Sequence, residues 1–72
     1  MQRAKVMNIF DHDLKEAISG VKRDEYRKVM GNTLSPMVLI AIERRIRTDS
    51  QLTRDDRMQL LGDVERFAAL VG

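Results

Sequence analysis

The residues best suited to chemistry are Asp11, His12 and Asp13, where an imidazole stands between two carboxylates. Acid–base catalysis and metal binding both require side chains that converge on one point. Consecutive residues of a helix point about 100° apart, so these three side chains diverge. The chain has no cysteine and one histidine, which leaves no second nitrogen or sulfur ligand for a metal. We therefore expect no catalytic, metal or cofactor site, and interpret the cluster as a solvated helix surface.

The hydroxyl groups do not form a nucleophilic site either. Ser19, Ser35 and Ser50 fall at predicted helix ends or in turns, where capping explains them. The sequence has no glycine-rich phosphate loop, and residues 49–53 lack the glycine and final glutamate of a calcium-binding loop. The sequence predicts that the protein is not an enzyme and has no small-molecule substrate.

Basic residues suggest a different chemistry, the binding of anions. The candidate positions flank the middle of the chain: Lys22, Arg23, Arg27, Lys28, Arg45 and Arg47. A patch of this kind could contact the phosphates of a nucleic acid. However, the net charge is only +2, and Glu43, Asp49, Asp55 and Asp56 are interleaved with nearby arginines. Alternating charge is typical of a solvated surface with ion pairs, and we favour that interpretation.

Residues 23–47 also have the layout of a helix-turn-helix, with a short basic segment, Gly31 and a second helix capped by Ser35. The first turns of the second helix would have to read base edges, yet residues 37–41 are all apolar. Apolar side chains cannot form bidentate hydrogen bonds with bases. Nucleic-acid binding by this segment or by the basic patch is therefore the alternative hypothesis.

The elements that position these residues are all predicted to be helices. The first ends at Gly20, a short second helix covers about 23–30 and ends at Gly31, the third runs from Pro36 to about Arg47, and the fourth follows Thr53. A stripe of apolar residues marks the first helix: Val6, Ile9, Phe10, Leu14, Ala17, Ile18 and Val21. We predict an all-α fold of one domain, residues 1–72: a small four-helix bundle around the helix from Pro36.

The last predicted helix has its own start signal. Thr53 is a suitable N-cap, and Asp56 three residues later makes a variant of the capping box. An apolar stripe follows: Leu60, Leu61, Val64, Phe67, Ala68 and Val71. Gly62 interrupts it, either as a close crossing point for another helix or as a glycine that faces solvent.

The helix from Pro36 has more apolar surface than one core contact needs. Ser35, Val38, Leu39, Ile42 and Ile46 form one face, which we expect to pack in the core. A second face, formed by Met37, Ile40, Ala41 and Arg44, has the residue types of a protein interface. A chain of 72 residues without disulfides has little surplus stability, so a partner chain is the expected supplement.

These observations predict a non-enzymatic interaction module. We expect it to associate with itself and to act as a regulator or adaptor that docks on a protein, such as a transcription regulator. The apolar runs are far shorter than the roughly 18 residues that span a bilayer, and residues 1–6 lack the apolar stretch of a signal peptide. The expected location is the cytoplasm, without membrane attachment.

Overall fold

The computed structural model describes the backbone of residues 2–33 and 35–71, and the side chains of residues 12–33 and 35–71. It contains three helices, α1 (Gln2–Gly31), α2 (Pro36–Thr48) and α3 (Arg54–Val71). The described residues include no strand. The predicted all-α class is confirmed, but the predicted four-helix bundle is wrong.

The difference lies at Gly20, which is inside α1 and does not end it. Gly20 has no left-handed backbone conformation, so nothing breaks the helical path there. A glycine in a helix costs about 1 kcal/mol relative to alanine, which contacts on both sides can outweigh. Ser19 before it and Arg23 after it both bond to Asp56 of α3. The two predicted helices are therefore one element.

The order of contacts gives the directions of the helices. Ser19 bonds to Thr53 at the start of α3, and Arg27 bonds to Asp63 farther along it, so α1 and α3 run parallel. Tyr26 bonds to Asp49 after the end of α2, while Val29 lies beside its beginning. Consequently α2 runs antiparallel to both other helices.

The apolar core lies mainly between α2 and α3. Its buried members are Met30, Leu39, Ile42, Ile46, Leu52, Leu60 and Val64. Tyr26, Leu61, Phe67 and Val71 pack against them with part of their surface exposed. The predicted core positions Leu39, Ile42 and Ile46 are confirmed, whereas Val38 remains 40% exposed at the edge. Among the buried apolar residues described, Met30 is the only one that belongs to α1.

The ends of α2 agree only in part with the capping predicted from the sequence. Pro36 occupies the first turn of α2 as predicted, but the Ser35 side chain makes no capping hydrogen bond. At the other end, Arg57 of α3 donates to two backbone carbonyls, Ile46 O at 3.1 Å and Asp49 O at 2.5 Å. A guanidinium therefore supplies the donors that the last turn of α2 lacks.

The molecule is elongated, with principal extents of 54 × 17 × 14 Å. Its Cα radius of gyration is 15.1 Å, against about 11 Å expected for a compact chain of this length. The elongation comes from α1, because α3 begins level with Ser19 and residues 2–18 lie before that point. Among the described helices, none is long and apolar enough to cross a membrane.

Candidate functional site

The outer face of α2 is the first candidate for an interaction surface. Met37 is 78% exposed and Ile40 is 53% exposed, and Ala41 and Arg44 are also exposed. These four residues share the side of α2 opposite the buried Leu39, Ile42 and Ile46. Met37 and Ile40 therefore do not belong to the buried core of the chain.

A groove runs along one edge of this face, between α1 and α2. Its floor is apolar and it has a volume of about 540 Å³. The lining residues are Tyr26, Val29, Met37, Val38, Ala41 and Ile42, with Lys22, Glu25 and Arg45 around them. An apolar centre with a charged rim is the usual composition of a protein interface.

The other predicted interface residues lie outside this groove. Ile40 is on the α3 side of the face, in a shallow hollow that it shares with Val64 and Ala68. Arg44 lies toward the turn after α2, next to Arg45 and Thr48. The structure therefore brings Met37 and Ala41 together, and places Ile40 and Arg44 at separate points of the same face.

The described part of the predicted apolar stripe of α1 forms a second exposed surface. Leu14 is 46% exposed and Val21 is 59% exposed. A hollow lined by Ala17, Ile18 and Val21 also includes Lys22 and Glu25, which line the groove as well. The two surfaces are continuous. The predicted stripe residues Val6, Ile9 and Phe10 have side chains outside the described residues.

The side of α1 that faces α3 is polar instead. Arg23 Nη1 donates to Asp56 at 3.0 Å, and Arg27 Nε donates to Asp63 at 2.8 Å. Arg27 also donates to Gln59 Oε1 at 3.1 Å. We call this row the polar seam; it comprises Ser19, Arg23, Arg27, Asp56, Gln59 and Asp63. Arg66 of α3 adds a further hydrogen bond to Asp63.

The sequence does not reveal the seam, because interleaved charges are typical of a solvated surface. Asp56 and Asp63 are nevertheless only 8% and 5% exposed, so their charges depend on partners within the chain. The signal was present as a matched spacing: Ser19, Arg23 and Arg27 recur every four residues on one side of α1. Asp56, Gln59 and Asp63 recur at three- and four-residue steps along α3.

Ser19 connects the seam to the start of α3. Its hydroxyl donates to Asp56 Oδ2 at 2.5 Å and accepts from the Thr53 amide at 2.8 Å. Thr53 Oγ1 in turn accepts from the Asp56 amide at 3.2 Å, which confirms Thr53 as the N-cap. In a capping box the Asp56 carboxylate would accept a hydrogen bond from the Thr53 amide. Here that carboxylate bonds to α1 instead, and Ser19 Oγ accepts from the Thr53 amide in its place. The Ser19 hydrogen bond, together with Arg23, lowers the pKa of Asp56.

A second polar group joins α1 to the turn after α2. Tyr26 Oη donates to Asp49 Oδ2 at 2.7 Å, and Lys22 Nζ lies 2.9 Å from the same oxygen. Burial, and then the bond to Asp49, raise the pKa of Tyr26 to about 12. Burial alone would raise the pKa of Asp49, but the hydrogen bonds from Tyr26 and Lys22 lower it to about 2. Both shifts favour a neutral phenol bonded to an ionised carboxylate.

The structure does not gather the predicted anion-binding residues into one patch. Arg23 and Arg27 belong to the polar seam, Lys22 pairs with Asp49, and Arg47 lies 3.1 Å from Glu43. Lys28 and Arg45 are exposed. Most of these cations are thus committed to carboxylates of the same chain, as alternating charge indicates.

His12 and Asp13 of the predicted cluster lie on the surface. His12 Nε2 lies 3.8 Å from Glu16 Oε1, one helical turn away, and both side chains are largely exposed. The Asp11 side chain is outside the described residues. Within residues 12–33 and 35–71, no three His, Asp or Glu side chains are placed to hold a metal ion.

Comparison with known proteins gives no match, whether among family models, curated proteins or solved structures. A function for this chain has to be inferred from its own surfaces.

Proposed function

We propose that this protein is a non-enzymatic helical interaction module that associates with itself and docks on a protein partner as a regulator or adaptor. A regulator of transcription is the class of partner we favour. The observation that supports the proposal is the outer face of α2 together with the groove beside it. Met37, Val38 and Ala41 expose apolar surface there, and the described part of the chain does not cover it.

The energetic argument follows from area. Complete burial of a side chain the size of valine or methionine stabilises a complex by roughly 1.5–3 kcal/mol. Met37 and Val29 are both at least half exposed, so at least half of this free energy is not used by the folded monomer. A partner that covers the groove would use it. The charged rim formed by Lys22, Glu25 and Arg45 would orient that partner.

The nucleic-acid hypothesis has less support. The exposed part of α2 that would enter a groove of DNA carries Met37, Ile40 and Ala41, which cannot read base edges. The guanidinium groups of Arg23 and Arg27 are occupied by the polar seam. Lys22, Arg44 and Arg45 line a hollow beside the turn after α2, but Asp49 lines it too and is paired with Lys22.

The proposal predicts that Met37→Asp weakens self-association without unfolding the chain. A carboxylate at this exposed position is hydrated in the monomer but loses water in the complex, which costs a few kcal/mol. We expect the dissociation constant to rise roughly a hundredfold. Sedimentation equilibrium over a wide concentration range measures this change, and circular dichroism reports whether the helices are kept.

Two controls accompany it. Met58→Asp changes another exposed methionine, on α3, and should leave association unchanged. Leu39→Asp places the charge in the core and should unfold the chain. The proposal is wrong if the unmodified protein stays monomeric at high micromolar concentration, or if Met37→Asp and Met58→Asp behave alike.

A further inference from the structure

We propose that the occupant of the groove is a second copy of this chain, whose α1 pairs antiparallel with α1 of the first copy. The inference rests on the proposed self-association and adds its geometry. The contact would centre on Ile18 and Val21, which line a hollow on the side of α1 turned away from α3, Ile18 half-buried and Val21 exposed. The dimer would have two-fold symmetry, so each copy contributes the same surface.

The spacing along α1 is that of a paired helix. Leu14, Ile18 and Val21 are separated by four and three residues, and Glu25 and Lys28 continue the same steps. Alternating steps of four and three keep one narrow side of a helix against a partner helix. The opposite side of α1 is already occupied by the polar seam with α3. The stripe is therefore free to contact a second molecule.

The projecting part of α1 explains why the partner lies antiparallel. Residues 2–18 precede the level at which α3 begins, and the groove with Met37 lies toward the other end of α1. If Ile18 of one copy faces Val21 of the other, the turns before His12 come level with Val29 of the other copy. The projecting helix of each copy then lies along the groove of its partner. A parallel pair would leave both grooves empty.

Charge along the stripe favours the same direction. In the antiparallel pair Lys15 lies next to Glu25 of the second copy, and Asp13 lies within a turn of its Lys28. Lys15, Glu25, Asp13 and Lys28 are all exposed in the monomer. A parallel pair would bring Lys15 to Lys15 and Glu25 to Glu25. Opposite charges across a helix pair select its direction and its partner, whereas like charges oppose the wrong one.

A charge exchange between two variants tests this arrangement. Lys15→Glu alone and Glu25→Lys alone each place like charges together at both ends of the homodimer. We expect each variant to dissociate roughly tenfold more readily at low salt. When the two variants are mixed in equal amounts, both ends again carry opposite charges. The mixed dimer should be as tight as the unmodified one, measured by sedimentation equilibrium with one variant fluorescently labelled.

The outcomes separate this inference from the proposed function. Weaker association of each single variant than of the unmodified protein, restored affinity in the mixture, and loss of the dimer in Val21→Asp but not in Met58→Asp together support the antiparallel pair. A mixture no tighter than either variant alone overturns it, and so do single variants as tight as the unmodified protein with a mixture tighter than it, which is the result expected of a parallel pair. If the charge exchange fails but Met37→Asp still weakens association, the proposed interaction module is retained and the second copy binds in a different orientation. An unmodified protein that stays monomeric overturns both. Circular dichroism on every variant excludes unfolding as the cause.

Discussion

At the scale of single residues, the Ser19 hydroxyl group joins α1 to the start of α3. Its one hydroxyl satisfies the Thr53 amide and the Asp56 carboxylate at once, and it is fully buried. A buried donor or acceptor left without a partner costs the free energy of its lost hydration. The start of α3 and its attachment to α1 therefore depend on the same atom.

Ser19→Ala should lower the free energy of unfolding by about 1–3 kcal/mol, because it leaves the Thr53 amide and part of the Asp56 carboxylate without partners. Urea denaturation followed by circular dichroism measures the change. Ser50→Ala, at an exposed serine in the turn before α3, should change the unfolding free energy by less than about 0.5 kcal/mol. Equal effects at the two serines would show that the Ser19 hydrogen bonds contribute nothing specific.

At the scale of elements, α1 shows how tertiary contacts override a local stop signal. Gly20 is a good helix terminator by type, but the residues on both sides of it are fixed to α3. Its backbone is not in the left-handed region, and an added Cβ would meet only Arg23 Nη2, at 3.9 Å, in ordinary van der Waals contact. Nothing in the local geometry requires a glycine at this position.

Gly20→Ala should therefore stabilise the protein by about 0.5–1 kcal/mol, through the lower entropy of the unfolded chain and the higher helix propensity of alanine. The thermal midpoint should rise, and the helical circular dichroism signal should be kept. Gly62→Ala in α3 is the matched comparison, since a Cβ there meets no atom within 4 Å, and we expect a similar gain. A loss of stability confined to Gly20→Ala would mean that α1 bends or ends at Gly20 in solution.

At the scale of the whole molecule, the sequence predicts the helical class, the core side of α2 and the N-cap of α3. Each of these depends on local chemistry: apolar periodicity, a proline in the first turn, and a threonine before acidic residues. The length of α1 and the polar seam could not be predicted in this way. They depend on pairs such as Arg27 with Asp63, which are 36 residues apart and which no local pattern connects.

The candidate interface was predictable to a similar extent. The exposure of Met37, Ile40, Ala41 and Arg44 follows from the breadth of the apolar run in α2. The participation of α1 does not, because an amphipathic stripe normally faces the core and here Leu14 and Val21 face outward. Only the placement of Ser19, Arg23 and Arg27 against α3 reveals which side of α1 remains available.

The sequence separations of these contacts also bear on the order of events during folding. Contacts between α2 and α3 close short loops, as in the bonds from Arg57 to residues 8 and 11 positions earlier. The seam joins residues 32–37 positions apart and offers few apolar contacts. Local apolar contacts form early because their closure costs less entropy. We infer that α2 and α3 pair in the transition state and that α1 docks afterward.

This order has a kinetic signature. Arg27→Gln, in the seam, should speed unfolding and leave the refolding rate almost unchanged, whereas Ile46→Val, in the α2–α3 core, should slow refolding. Stopped-flow mixing with urea separates the two rates. A slower refolding rate in Arg27→Gln would instead place the docking of α1 before the transition state. On the inferred pathway the helix that offers the self-association surface is the last to join the fold, so the α2–α3 part of the core forms before the chain presents that surface.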